Sequence, residues 1–240
     1  MMKKVTERLA LFFSLLAILT LAASIVGCTP RTPRPTTDTD TAPQIQRVAV
    51  VGFKAAIPEG DAPEVFLNPV TGSALMSYPV PRFAVEGLTD ELFNRLISQR
   101  KWDFIPPGQA RGVMGNILRS DEDVGMPAVE ILQKIGNSFG ADAVLSGYIY
   151  RWREREGTDF AVKRAASVAF DLYLVNPSDG SVMWRRNFNK TQRSLFENLF
   201  DFDTYLKSSG RWLTAGKLAI IGLDKMLSEM PGQSKNPKEK

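Results

Sequence analysis

Apolar positions along this chain change their period several times, and each change marks an element. Gln46-Arg47-Val48-Ala49-Val50-Val51-Gly52-Phe53 is a near-continuous β-branched run bounded by polar and glycine residues. It predicts a strand buried on both faces. Residues 54–80 then hold Pro58, Gly60, Pro63, Pro69 and Gly72 with no sustained period, and read as a long loop of the kind that often carries function. From Pro81 the spacing turns helical. Val85, Leu88, Leu92 and Leu96, with Phe93 and Ile97, form an amphipathic face, and the proline stands where a first-turn proline is tolerated. Trp102-Asp103-Phe104-Ile105 is a short strand ended by Pro106-Pro107. Helices follow over 108–118 and 127–139, the second with Val129, Ile131, Leu132, Ile135 and Phe139 on one side and Gly140 as its stop.

The second half alternates differently. Residues 141–150 read as a strand, Gly157-Thr158-Asp159 as a turn, 162–175 as a return strand, and Asn176-Pro177-Ser178-Asp179-Gly180 as a tight turn into a third strand over 181–193. A helix over 209–230, stopped by Pro231-Gly232, carries Leu213, Leu218, Ile220, Ile221, Leu223, Met226 and Leu227. Such breadth implies packing against the sheet. The prediction is one α/β domain over 46–230, a sandwich with a mixed sheet, antiparallel in its second half and covered by helices. A body of about 190 residues fits the usual size of one domain. A charged, flexible tail is expected over 231–240.

The N-terminus obeys another logic. Lys3, Lys4 and Arg8 precede an apolar run over 9–26, the order an export machinery reads as a signal peptide. The run ends in Ile25-Val26-Gly27-Cys28, which resembles the lipobox of bacterial lipoproteins. That resemblance implies a signal peptide over 1–27, a diacylglycerol on the Cys28 thiol and an acylated new terminal amine. Residues 28–45, rich in proline and threonine and without a large apolar side chain, predict a lipidated disordered tether. Thr29, where enteric lipoproteins retained at the inner membrane carry aspartate, is similar to the outer-membrane class. The expected location is the periplasmic face of the outer membrane.

Composition narrows the chemistry. Cys28 is the only cysteine and there is no histidine, which removes intrachain disulfides, thiolate metal sites and the commonest general base. From Cys28 onward the chain carries 27 basic and 25 acidic residues, so its basic pI is no nucleic-acid footprint. No Gly-x-Ser-x-Gly elbow, phosphate-cradling glycine loop or Ser-x-x-Lys pattern is present. No catalytic residue, metal ligand or cofactor is assigned, and binding rather than catalysis is expected. Asp121-Glu122-Asp123 lacks the spaced oxygens and glycine of a calcium loop and reads as a surface turn.

Three segments in order carry a further resemblance. They are the opening strand Val48-Ala49-Val50-Val51-Gly52-Phe53, then Phe139-Gly140-Ala141-Asp142-Ala143-Val144-Leu145-Ser146-Gly147, then Asp171-Leu172-Tyr173-Leu174-Val175-Asn176-Pro177-Ser178-Asp179-Gly180-Ser181-Val182-Met183-Trp184. Together with the lipobox, their order is similar to that of the CsgG-like lipoproteins, a group spanning the curli secretion channel, LpoB-type activators of penicillin-binding proteins and the amino-terminal domain of TolB. The resemblance implies a periplasmic module that works by binding or assembly with envelope protein partners, and it admits a homo-oligomer.

A curli-type pore would need strands of about 9–11 residues that alternate apolar and polar. The first candidate, 151–159, places Arg151, Arg153 and Arg155 on one side and Trp152, Glu154 and Glu156 on the other. Neither side suits lipid, since a cation at mid-bilayer costs about 2–4 kcal/mol. The second candidate, 195–203, has helical spacing instead. The expectation is therefore an accessory module, with a ring-forming channel subunit as the alternative. Candidate partner-binding residues are Trp152, Arg153 and Arg155, which would suit an anionic polymer or an acidic partner, and the aromatics Phe196, Phe200 and Phe202. A salt-bridged, solvated hairpin and a set of core-capping rings are the plainer readings of the same residues.

Overall fold

The computed structural model describes residues 45–99, 102–119, 125–158, 161–192 and 212–231. Ile25, Val26, Gly27 and Cys28, the expected tether, Asp121-Glu122-Asp123, the aromatics Phe196, Phe200 and Phe202, and residues 232–240 lie outside them.

Along the chain run β1 (Arg47–Ala55), β2 (Glu64–Leu67), β3 (Ala74–Ser77), α1 (Arg82–Gln99), β4 (Asp103–Ile105), α2 (Pro107–Ile117) and α3 (Ala128–Ser138). Then come β5 (Ala143–Arg153), β6 (Glu156–Gly157), β7 (Val162–Arg164), β8 (Ser167–Val175), β9 (Val182–Thr191) and α4 (Ala215–Ser228). Five strands form one sheet in the order β4-β1-β5-β8-β9. β1 is parallel to both β4 and β5, while β5, β8 and β9 form an antiparallel meander. This is the mixed α/β sheet that the patterning predicts.

Helices cover both faces. On one, Leu88, Leu92 and Leu96 of α1 and Leu218, Leu223 and Met226 of α4 pack with Val48, Val50, Leu145, Phe170 and Leu172. On the other, Ala110 of α2 and Ile131, Leu132 and Ile135 of α3 pack with Ala49, Val51, Val144, Tyr148 and Tyr173. β1 serves both, which is why its sequence is continuously apolar. α4 lies close to the sheet at Gly222, where an added Cβ would stand 2.5 Å from the Phe188 ring.

β1 changes face partway along. Its register with β5 slips between Val50 and Gly52, a bulge that turns Phe53 onto the α1 side. Gly52 has φ of 83°, and a Cβ there would meet Thr89 Cγ2 at 2.3 Å. Thr89 Oγ1 accepts the Phe53 amide at 3.0 Å and donates to the Val85 carbonyl at 2.8 Å, which clamps the bulge to α1.

Residues 54–80 correct the expectation of a long irregular loop. They contain the β2–β3 hairpin, paired Glu64↔Ser77 through Leu67↔Ala74. The 162–175 strand is likewise two pieces, β7 and β8.

Candidate docking site

The β2–β3 hairpin is apolar on both sides. Phe66 and Leu75 face the sheet, and the Phe66 ring lies 5.0 Å from that of Tyr148 and 6.1 Å from that of Tyr150. Val65, Leu67 and Met76 face outward, 66%, 64% and 44% exposed. Adjacent strand residues point to opposite faces, so a run such as Val-Phe-Leu necessarily places apolar groups on both. A two-stranded hairpin is marginal alone, and this one is held by its turn.

That turn is pinned to a buried carboxylate. Asn68 Oδ1 accepts the amides of Val70 at 2.8 Å and Thr71 at 3.0 Å, which shapes the loop. Asn68 Nδ2 donates to Tyr150 Oη at 2.7 Å and Asp171 Oδ2 at 3.1 Å. Asp171, in the middle of a β8 strand buried at every residue, also accepts the Tyr150 hydroxyl at 2.7 Å and the Tyr148 amide at 3.0 Å. Arg185 of β9 donates to Ser73 Oγ at 2.8 Å and stands 3.5 Å from Asp171 Oδ2. Burial pushes the Asp171 carboxyl above its usual range, against the opposing pull of Tyr150, the Tyr148 amide, Arg185 and Asn68. Burial and the same carboxylate push the Tyr150 phenol up.

Trp152 sits on the opposite face. The β5–β8 register slips between Ile149 and Arg151, after which Trp152 pairs with Val168 and packs against the α1–α4 core. It lines a groove of about 310 Å³ between α1 and α4, with Phe83, 63% exposed, and Ile220. Glu154 holds this corner. One oxygen accepts Trp152 Nε1–H at 3.2 Å and the other the Ala215 amide at 3.0 Å, beside the Thr214 cap of α4.

The neighbouring cations are deployed in different ways. Arg151 donates to Ser167 Oγ at 2.8 Å and Asn189 Oδ1 at 2.6 Å, so it braces the sheet. Arg153 and Arg155 are half-buried, and Arg153 Nε is buried without a hydrogen-bond partner among the described residues. Arg164 pairs with Glu156 across the β6–β7 tip. The structure thus separates Trp152 from Arg151 and Arg153, which follow the opposite face, and brings Trp152 together with Phe83. Phe196, Phe200 and Phe202 lie outside the described residues.

Sequence reasoning missed the hairpin surface and the Asp171 anchor. The available signals were Asn68-Pro69-Val70-Thr71-Gly72, a turn between two apolar runs, and one carboxylate within nine otherwise apolar or small residues. Other residues of the resembling segments also serve the fold. Asp142 Oδ2 accepts the amides of Gln46 and Arg47, both at 2.9 Å, and Trp184 Nε1 donates to the Glu229 carbonyl at 3.1 Å. No helix among the described residues is long and apolar enough to cross a membrane.

No protein-family model matches this sequence, and no curated protein matches it. Solved structures align with it at low identity. One is lipoprotein GNA1162 from Neisseria meningitidis, 13% identical over 68% of this chain and 98% of that one, with a TM-score of 0.39. The PelC dodecamer from Paraburkholderia phytofirmans is 16% identical over 78% of this chain and 87% of that one, with a TM-score of 0.40. The LpoB C-terminal domain from Salmonella enterica is 15% identical over 61% and 83% of the two chains, with a TM-score of 0.34. The chain is similar to each of them.

Proposed function

We propose that this chain is an envelope lipoprotein, anchored through Cys28 to the outer membrane, whose α/β domain docks protein partners through the outer face of β2–β3. The observation that carries this reading is the exposure of Val65, Leu67 and Met76 on an element pinned from beneath by Asn68 and Asp171. Apolar side chains grouped on a rigid element lose little entropy on binding, which is what a docking surface needs. The order of the CsgG-like segments and the lipobox support an envelope setting. The 17 residues from Thr29 to Ile45 allow the domain to work up to about 60 Å from the lipid.

The test is crosslinking in intact envelopes. A Val65→Ser, Leu67→Ser, Met76→Ser triple variant should keep its thermal midpoint and lose its crosslinked protein neighbours; unchanged neighbours would move the docking site elsewhere. Cys28→Ser should abolish radiolabelled palmitate incorporation, and normal labelling would remove the anchor. The channel-subunit alternative predicts a large detergent-stable ring that conducts in planar bilayers. The accessory module predicts small particles by light scattering and no conductance.

A further inference from the structure

β4 is three residues long and pairs with β1 only from Arg47 to Ala49. Beyond that point β1 has no strand on that side among the described residues, and other groups meet its edge. Arg111 Nε of α2 approaches the Val51 carbonyl at 3.3 Å, and Thr89 takes the Phe53 amide. The chain leaves β1 for β4 through α1 on one face and returns from β4 to β5 through α2 and α3 on the other. The carboxyl end of β1 is therefore a topological switch point, the place where open α/β sheets form a ligand crevice.

A cavity of about 560 Å³ occupies this crevice, within the usual range for small-molecule sites. Its apolar wall includes Phe53, Pro58, Val80 and Val85. Five charged side chains reach it, Lys54, Arg82 and Arg111 against Glu59 and Glu86, which leaves one positive charge in excess. Both carboxylates are committed: Glu86 accepts Arg82 Nε at 2.8 Å, and Glu59 accepts the Arg82 amide at 3.1 Å at the start of α1. The other two cations are not matched. The Lys54 ammonium has no ion-pair or hydrogen-bond partner among the described residues, and burial lowers it below the usual range. Arg111 Nη2 is buried with no partner among them. Holding such groups away from water costs stability unless an anion meets them.

We propose that this cavity binds a small monocarboxylate with an apolar aryl or alkyl body, its carboxylate held between Lys54 and Arg111. One excess positive charge suits a single negative charge, and both unmatched cations line the cavity. The apolar wall selects the body. This site lies apart from the hairpin surface and does not depend on it.

The test is isothermal titration calorimetry of the protein as purified from membranes and placed in nanodiscs, with empty nanodiscs as the blank and 4-phenylbutyrate as the probe. One saturable site per chain is expected. The neutral analogue 4-phenylbutanol and the small anion acetate should each bind about tenfold more weakly or less, since a charge-assisted pair is worth that factor. Lys54→Met and Arg111→Met should each lose about tenfold in affinity. Val85→Trp, which fills the cavity and leaves every charge in place, should also abolish binding. Circular dichroism establishes that each variant is folded. Equal affinity for 4-phenylbutanol, no saturable heat with 4-phenylbutyrate, or full affinity in the folded Lys54→Met and Arg111→Met variants would overturn the proposal.

Discussion

Under α1 and α4 the sheet is sealed by Leu, Val, Ala and Phe, whereas under β2–β3 it is sealed around Asp171, the one charged residue among the buried described residues. The first face gains stability from apolar area, which is not directional and tolerates small shifts. The second gains position. Asp171, Tyr150, Asn68 and Arg185 meet at fixed distances, and moving the hairpin breaks several hydrogen bonds at once. A face that fixes an exposed apolar element needs this second kind of contact, because area alone would let the hairpin slide.

Asp171 and Leu172 are adjacent on β8 and point to opposite faces, so they offer the sharpest contrast. Asp171→Ala should cost about 3–5 kcal/mol by urea melting, because it removes the acceptor of the buried Tyr148 amide, Tyr150 hydroxyl and Asn68 side-chain amide at once. Hydrogen exchange should then accelerate first at the amides of Asn68 and Gly72, which close the hairpin turn. Leu172→Ala should cost about 2–5 kcal/mol through a cavity and leave the hairpin amides as protected as their neighbours. Equal exchange in the two variants would erase the distinction between the faces.

Gly222→Ala comes next, at about 1–3 kcal/mol, because the new methyl meets Phe188 and α4 must lift. Its effect stays on the apolar face. The pH dependence belongs to the other. The Asp171 carboxyl is raised in the fold, so the native state holds its proton more tightly than the unfolded chain. Its contribution is fully present below the ordinary aspartate value of 3.8 and is lost as pH climbs through the raised native value. Stability curves of Asp171→Asn should lack that decline. The smallest effect belongs to the outer face of β2–β3: Val65→Ser and Met76→Ser should each shift stability by about 0.5 kcal/mol or less, since both side chains are exposed.

Much of the architecture was legible from period alone. The β1 run, the 3.6-residue spacing of α1 and α3 and the Asn176–Gly180 turn fixed the order of layers, and helix limits fell within a residue or two for α2 and α3. The β2–β3 hairpin was not legible. Its strands are four residues each, and Pro63 and Pro69 flank β2, so no period develops. Asp171 was visible as a residue without being readable as an anchor, because its partners come from Asn68, 103 residues away, and Tyr150, 21 residues away. Trp152 was visible too. Alternation set it on the side opposite Arg151 and Arg153, but that this side would face α4 depended on the register slip between Ile149 and Arg151, which sequence spacing does not encode.

The position of β1 has a consequence for how the chain comes to be folded. It is the earliest strand of the sheet in chain order, yet it lies between two later ones, and its long-term neighbour β5 is nearly half the domain downstream. During synthesis, Val48-Ala49-Val50-Val51 must wait bare until both flanks have emerged. A holding chaperone that scans nascent segments for sticky β-forming stretches should therefore grip this protein at its leading strand before any other.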